Sequence, residues 1–215
     1  MAKQTTIIYN KLPPTVVGFK DEKTSRYVKA WVMAGEVCVV GLIAEGTSRE
    51  LQSNWDSPFE GANADGTDYS AAAALAQTHL DVTTVTTFNS QQVWKGQQPH
   101  SYPLVIELVA MKDAREEVTK AIIALEKMAS ANLNERAPGE LSESEGETFK
   151  FGSPPGSVML NIGTNVLYDK CKLESVSVPL SGPVDIGGHM LHATVTLSIQ
   201  SDTALNERDI ESTFG

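Results

Sequence analysis

The sequence contains little cysteine and no long apolar run. Its two cysteines, Cys38 and Cys171, lie in strand-like segments without disulfide-type spacing, so we expect buried free thiols, with a disulfide as the alternative. No apolar run approaches the ~18 residues that a membrane span needs. The start, Met1-Ala2-Lys3-Gln4, lacks the apolar core of a signal peptide. These absences predict a chain made in the cytosol, or assembled there into a particle, with no membrane partner.

Positive charge is also scarce. Lysine and arginine number 17 against 27 aspartates and glutamates, which gives a formal net charge of -10. Tight binding to nucleic acid needs clustered basic residues, so this balance argues against it. An acidic protein can still form a surface past which DNA slides without adhering, because like charges repel.

The sequence lacks recognisable catalytic and ligand-binding motifs. Its histidines, His79, His100, His189 and His192, stand in no nucleophile-elbow context, so each is expected to be a surface or strand residue. Residues 61–72 match a calcium loop at the central glycine but fail at both acidic end positions. We therefore expect no catalytic residue, no cofactor and no metal. A small-molecule hydrolase or binding domain with an unrecognised site remains an alternative.

The strongest pattern present lies in the last third of the chain. Residues 190–200 alternate strictly between apolar and polar, which is typical of a half-buried antiparallel strand. The apolar side comprises Leu191, Ala193, Val195, Leu197 and Ile199, and the polar side comprises Met190, His192, Thr194, Thr196, Ser198 and Gln200. Strands this long must be paired, closed or covered. We expect other subunits to complete their edges.

A second long run, residues 166–178, alternates less regularly. Its polar residues change sides midway, around Glu174. A β-bulge or bend at that point would restore a single buried face, as would a strand that leaves one sheet and joins another. Residues 27–33 and 36–44 predict a hairpin whose second strand is nearly continuous in apolar residues and so buried on both faces.

One amphipathic helix is predicted over about 113–131, after a strand at 104–111. Asp113 begins it with a capping-box-like partner, Glu116, three residues later. Its apolar stripe comprises Val118, Ala121, Ile122, Leu125 and Ala129. We expect this helix to lie on a sheet. The predicted elements are mostly antiparallel strands with one helix and long loops, so the fold class is α+β, mainly β.

Two long segments interrupt the predicted core, which we take as one domain over residues 1–215. Residues 45–100 contain loops around a predicted helix at 70–80 and a predicted strand at 82–88. Trp55, Phe59 and Trp94 lie in these loops and are candidate anchors in a protein interface, although Trp55 and Phe59 would equally form a local mini-core. Residues 132–152 are acidic and predict a surface loop, or a segment that orders against a partner.

The order of these features resembles the tube-forming proteins of contractile phage tails and contractile injection systems, in particular the tube-initiator and baseplate hub proteins. The resemblance covers about half of the chain. It rests on the strand at 104–111, the capped helix at 113–131, the Pro154-Pro155 turn, Asn161-Ile162-Gly163, the strand phrase at 173–178, the turn Gly187-Gly188 and the strand at 193–199. Residues 54–60 are also similar to segments of phage virion proteins. The Phe-Asn-Pro phrase common near the start of that family is absent.

This resemblance implies an antiparallel tail-tube-like β-barrel or sandwich with one packed helix, whose sheets join those of neighbouring copies. It also implies a virion structural protein at the tube–baseplate junction. Copies of the chain would form a ring, expected to be hexameric, that contacts the tail tube and other baseplate proteins and through which DNA passes. Thr194, Thr196, Ser198 and Gln200 would then face the lumen. A peripheral wedge component that binds the tube without extending its wall is the alternative within the same machine.

Overall fold

The computed structural model describes residues 15–56, 91–133 and 152–214. The chain divides into two compact units, and each is described by itself. The first comprises Met1–Glu50 with Pro99–Gly215, and the second comprises Leu51–Gln98.

The described elements are mostly strands. In the first unit they are β1 (Thr15–Gly18), β2 (Lys29–Ala34), β3 (Val37–Ile43), β6 (Ser101–Val109), β7 (Val158–Ile162), β8 (Val166–Ser177) and β9 (His192–Ser201); β4 (Ser53–Asp56) and β5 (Val93–Gln97) belong to the second unit. The helices are α1 (Lys120–Ala129), preceded by a π-helical turn over Arg115–Thr119, and the short α2 (Glu207–Ile210). Single 3-10 turns cover Arg26–Val28 and Glu211–Thr213.

Six strands of the first unit close into an antiparallel barrel. Their order is β3-β2-β7-β8-β9-β6, and β6 returns to β3 through the pairs Leu42↔Glu107 and Ile43↔Ile106. Gly41 permits this closure, because a Cβ there would lie only 2.9 Å from the Cβ of Ile106. The predicted mainly β fold with a β-barrel is confirmed.

Barrel closure corrects the prediction about strand edges. Strand β9 pairs with β6 along one edge and with β8 along the other, and β8 pairs also with β7. The chain therefore completes the hydrogen bonding of most of its own C-terminal strands, and the expectation that other subunits do so is wrong for those stretches. Residues 172–177 of β8 pair with β9 alone, and residues 192–195 of β9 pair with β6 alone. The reason is the long-range pairing of β9 with β6, which no local pattern encodes. Among the described strands of this sheet, β1 stands at the edge and pairs in parallel with β3 alone.

Strand β8 contains two bulges that keep one face buried. Register shifts occur between Leu173 and Ser175, opposite β9, and between Tyr168 and Cys171, opposite β7. Each bulge adds one residue, so the inward side chains follow at spacings of three, two and three. They are Tyr168, Cys171, Leu173 and the partly buried Val176. The predicted bulge around Glu174 is confirmed.

The hairpin of β2 and β3 also follows the sequence pattern. Ala34 pairs with Val37 across a two-residue turn, and Gly35 there adopts the left-handed region with φ of 55°. In β3, Cys38, Val39 and Val40 are all buried, as predicted for a strand covered on both faces.

Helix α1 lies across one end of the barrel. The Asp113 carboxylate accepts hydrogen bonds from the backbone N–H groups of Arg115 and Glu116 at 2.9 and 3.2 Å, so the predicted cap is confirmed. Glu116 forms an ion pair with Lys120 instead of returning to Asp113. The helix packs against β1, β3 and β8. Because β3 and β8 stand on opposite sides of the six-strand ring, a helix touching both spans its opening.

The barrel interior is filled with side chains. The core cluster includes Tyr102, Leu104, Ile106 and Leu108 of β6, Val195, Leu197 and Ile199 of β9, and Val118, Ala121 and Leu125 of the helical segment. An eight-stranded barrel is already narrow enough for side chains to fill, and a six-stranded one is narrower. A single copy of this barrel therefore offers no channel through its centre.

The second unit contains strands where loops are predicted. Residues 53–56 and 93–97 form a two-stranded antiparallel sheet, which corrects the expectation of loops at these positions. The turn-forming residues Ser53, Asn54 and Asp56 favour a loop locally, and strand pairing overrides that preference. The predicted helix at 70–80, the predicted strand at 82–88, Phe59 and His79 lie outside the described residues. So does most of the predicted acidic loop, residues 134–151.

Candidate assembly surfaces

An exposed tryptophan pair is the main feature of the second unit. Trp55 on β4 and Trp94 on β5 are direct partners in the two-stranded sheet and are 57% and 54% exposed. Leu51 and Val93 of the same unit are also exposed. An isolated two-stranded sheet is marginally stable in water, and tryptophan is enriched at energetically important interface positions. The structure thus brings two of the three predicted interface residues together at the surface.

The polar side of β9 lies on the outside of the barrel. Thr196 is exposed, and Thr194, Ser198 and Gln200 are partly exposed, while the alternate residues between them are buried. The Ser198 hydroxyl donates to the Glu174 carboxylate at 3.1 Å. Any lumen that these residues line would lie between copies of the chain, because the barrel interior is packed. Leu191, predicted on the apolar side, precedes the strand and is 39% exposed.

The connection from β8 to β9 displays apolar side chains that sequence reasoning missed. Leu180 is 92% exposed, Ile186 is fully exposed and Val184 is more than half exposed. We call residues 180–186 the knob. The sequence contains a signal for this surface, since its apolar residues are interspersed with the turn formers Gly182, Pro183 and Gly187. The turn formers by themselves predict only turns.

Hydrogen bonds hold the knob in a defined conformation. The Asp185 carboxylate accepts from the backbone N–H of His189 at 2.8 Å, and the Asp185 N–H donates to the His189 carbonyl at 2.8 Å. Val184 pairs with Met190 as an isolated bridge. The His189 ring nitrogen Nδ1 lies 3.3 Å from the Thr119 hydroxyl, which ties this connection to the helical segment.

An apolar groove of about 590 Å³ runs along α1. We call it the α1 groove. Its walls come from β1, from the β2–β3 hairpin and from the helix, and its lining comprises Thr15, Val17, Ala34, Val37, Lys120, Ile123, Ala124, Lys127, Met128 and Gly156. Ile123 is 44% exposed, and the two lysine side chains supply positive charge at the rim.

A buried polar cluster occupies the barrel beside the C-terminal turn. The Arg49 guanidinium carbon lies 4.5 Å from the Phe214 ring centre and 5.8 Å from that of Tyr102, on which His100 stacks. Burial, followed by the charge of Arg49, lowers the pKa of His100, and burial raises the pKa of Tyr102 to about 12. Both groups are therefore neutral near pH 7.

This cluster lacks the connections of a catalytic dyad. The Ser201 hydroxyl accepts from the backbone N–H of His100 and donates to the Thr203 carbonyl, both at 2.9 Å. It is thus not activated by the imidazole ring. Within the described residues, His100 Nδ1, the Tyr102 hydroxyl and both terminal nitrogens of Arg49 have no hydrogen-bond partner.

The remaining predicted positions are dispersed. His189 lies in the β8–β9 connection and His192 at the start of β9, partly buried. Cys38 and Cys171 are buried free thiols, as expected, and burial raises the pKa of each to about 12. Among the described residues, no group of three histidine, cysteine or acidic side chains is arranged to hold a metal ion. No helix in the described ranges has the length and hydropathy to cross a membrane.

The sequence was compared with protein-family models and with curated proteins. No protein-family model matches the chain, and no curated protein matches it significantly.

Proposed function

We propose that the chain is a non-enzymatic structural subunit of a contractile phage tail or related injection machine, located at the tube–baseplate junction. It would form or initiate the ring of the inner tube, as the sequence resemblance implies. The observation that carries the proposal is the display of large apolar side chains on ordered elements. Trp55, Trp94, Leu180 and Ile186 are each more than half exposed, and such surface is typical of interaction sites.

Assembly in this proposal uses side-chain surfaces. Because the chain itself pairs most of β8 and β9 and leaves residues 172–177 of β8 paired on one side only, contacts between copies are expected mainly on faces, turns and the tryptophan pair. A permanent interface of this kind is expected to bury more than ~1,000 Å². Polar side chains of β9 and an acidic chain would suit a wall past which DNA moves.

The pairing of β8 and β9 within the chain also favours a second candidate, the peripheral wedge component. Such a protein would bind the tube through the same exposed side chains without extending its wall. The two candidates differ in symmetry, because a wall component must follow the symmetry of the ring.

The test combines microscopy with one double variant. Purified chain, alone and with the products of its neighbouring genes, is imaged by negative stain for rings or short tubes, and particle mass gives the copy number. Trp55→Ser with Trp94→Ser is expected to abolish assembly while the far-ultraviolet circular dichroism stays unchanged. Gln52→Ser, at an exposed described position of the same unit, serves as the control. A wild-type chain that stays monomeric with and without its neighbours would refute the proposal.

A further inference from the structure

We infer that the knob of one copy seats in the α1 groove of a second copy. The inference rests on the proposed self-assembly and names the surfaces that carry it. Knob and groove are different parts of the same unit, so the contact between copies is heterologous. A heterologous contact builds a closed ring or an open stack, depending on the rotation that it imposes.

The knob is suited to insertion because it is both apolar and fixed. Leu180 and Ile186 present nearly their whole side chains to solvent, so neither is seated in the groove of its own chain. The reciprocal hydrogen bonds of Asp185 and His189 define the backbone before any contact forms. A preorganised element loses little conformational entropy on binding.

The α1 groove is suited to receive the knob by shape and by charge. Its walls are apolar, formed by side chains such as Val17, Ala124 and Met128. Its charged lining residues are Lys120, which is ion-paired with Glu116, and Lys127, and the knob contributes Asp185, whose charge is opposite to that of Lys127. Complementary charge sets the orientation of a docked segment and disfavours wrong partners.

Charge argues against the N-terminal segment as the occupant. Residues 1–14 contain Lys3 and Lys11 and no acidic residue. Their positive charge would meet the two lysines of the groove, and like-charge contacts disfavour binding. The acidic knob of a second copy avoids this repulsion.

Two single variants test the two surfaces separately. Ile186→Asn removes an apolar side chain from the knob, and Ile123→Asn removes one from the groove, neither with a change of charge; both positions are exposed, so folding should survive. Val28→Asn, at an exposed valine at the far end of β2 from the groove, is the matched control. Sedimentation velocity over a concentration series measures self-association, and circular dichroism checks the fold.

Each surface variant alone is expected to weaken self-association by roughly tenfold or more, the effect typical of a central interface residue. A mixture of the two is expected to form a one-to-one dimer, because the intact knob of the groove variant fits the intact groove of the knob variant. A mixture that stays monomeric, or a groove variant that assembles like the wild type, overturns the inference and leaves the proposed function standing. A monomeric wild type overturns both.

Discussion

At the residue scale, the most informative side chain is His100. It is 2% exposed and stacks on Tyr102 beside the Arg49 guanidinium. Sequence reasoning placed it in a polar loop, since its neighbours Gln97, Gln98 and Pro99 are loop formers. Its surroundings include Arg49 and Ser201, which are about fifty and one hundred residues away in the chain and are brought to it by the pairing of Glu50 with Ser101 and of β6 with β9.

The buried imidazole makes stability depend on pH. Burial and Arg49 lower the pKa of His100 in the folded state. At a pH below the unfolded-state pKa, the unfolded chain therefore binds a proton that the folded chain does not bind. Stability should therefore fall as pH drops through the unfolded value near 6.5, by at most about 1.4 kcal/mol per pH unit for one proton. Urea unfolding of wild type and His100→Gln between pH 5.5 and 7.5 measures this slope.

The variant should show a flatter profile over that interval. Gln200→Asn, a change without a titratable group on the polar side of β9, is the control and should keep the wild-type slope. An unchanged slope in His100→Gln would assign the pH dependence to other groups.

At the element scale, the local patterns predicted what local physics determines. The hairpin turn at Gly35, the cap at Asp113 and the bulge at Glu174 all follow from residue spacing and short-range hydrogen bonding. The strands around Trp55 and Trp94 escaped prediction, because pairing between segments about forty residues apart overrides their turn-forming neighbours. The α1 groove escaped as well, since it forms only when the helix meets β1 and the β2–β3 hairpin.

Strand β8 offers a deletion test of the bulge. Removing Glu174 leaves Leu173 and Val176 two positions apart, so both still face inward and the pairing with β9 becomes regular. Removing Lys172 places Cys171 next to Leu173 and turns one of these buried residues to solvent. We expect the Glu174 deletion to fold cooperatively and the Lys172 deletion to lose its cooperative thermal transition. Equal damage from both deletions would show that the extra residue is required.

At the scale of the whole molecule, the barrel and its helix agree with the architecture that the resemblance implies, and the closed edges differ from it. Barrel closure requires Leu42 and Ile43 to meet β6 more than sixty residues later in the chain. No periodicity in the sequence indicates this pairing of β3 with β6. The exposed knob shows the same limit, since its alternation of apolar and turn-forming residues does not reveal whether a core covers it.

The acidic character of the chain makes a prediction about DNA. Assemblies of the wild type should not retain DNA at physiological salt, because net negative charge repels the phosphate backbone. Thr194→Lys with Thr196→Lys places two cations on the polar side of β9 and should give measurable, salt-sensitive retention in a filter-binding assay. Ser130→Lys with Ala131→Lys, at exposed positions directly after α1, adds the same two charges and is the control. Equal retention by both variants would show that the polar side of β9 does not contact DNA more readily than the control surface does.

The point where the second unit leaves the barrel has a further consequence. Glu50 and Ser101 pair by two backbone hydrogen bonds, of 2.8 and 3.0 Å, so both ends of the intervening segment are fastened at adjacent positions of the scaffold. Extending a segment whose ends already meet adds only about 0.6 kcal/mol of closure entropy per doubling of its length. The barrel can therefore accept insertions of very different size at this junction, and binding specificity can diversify there while the supporting architecture stays constant.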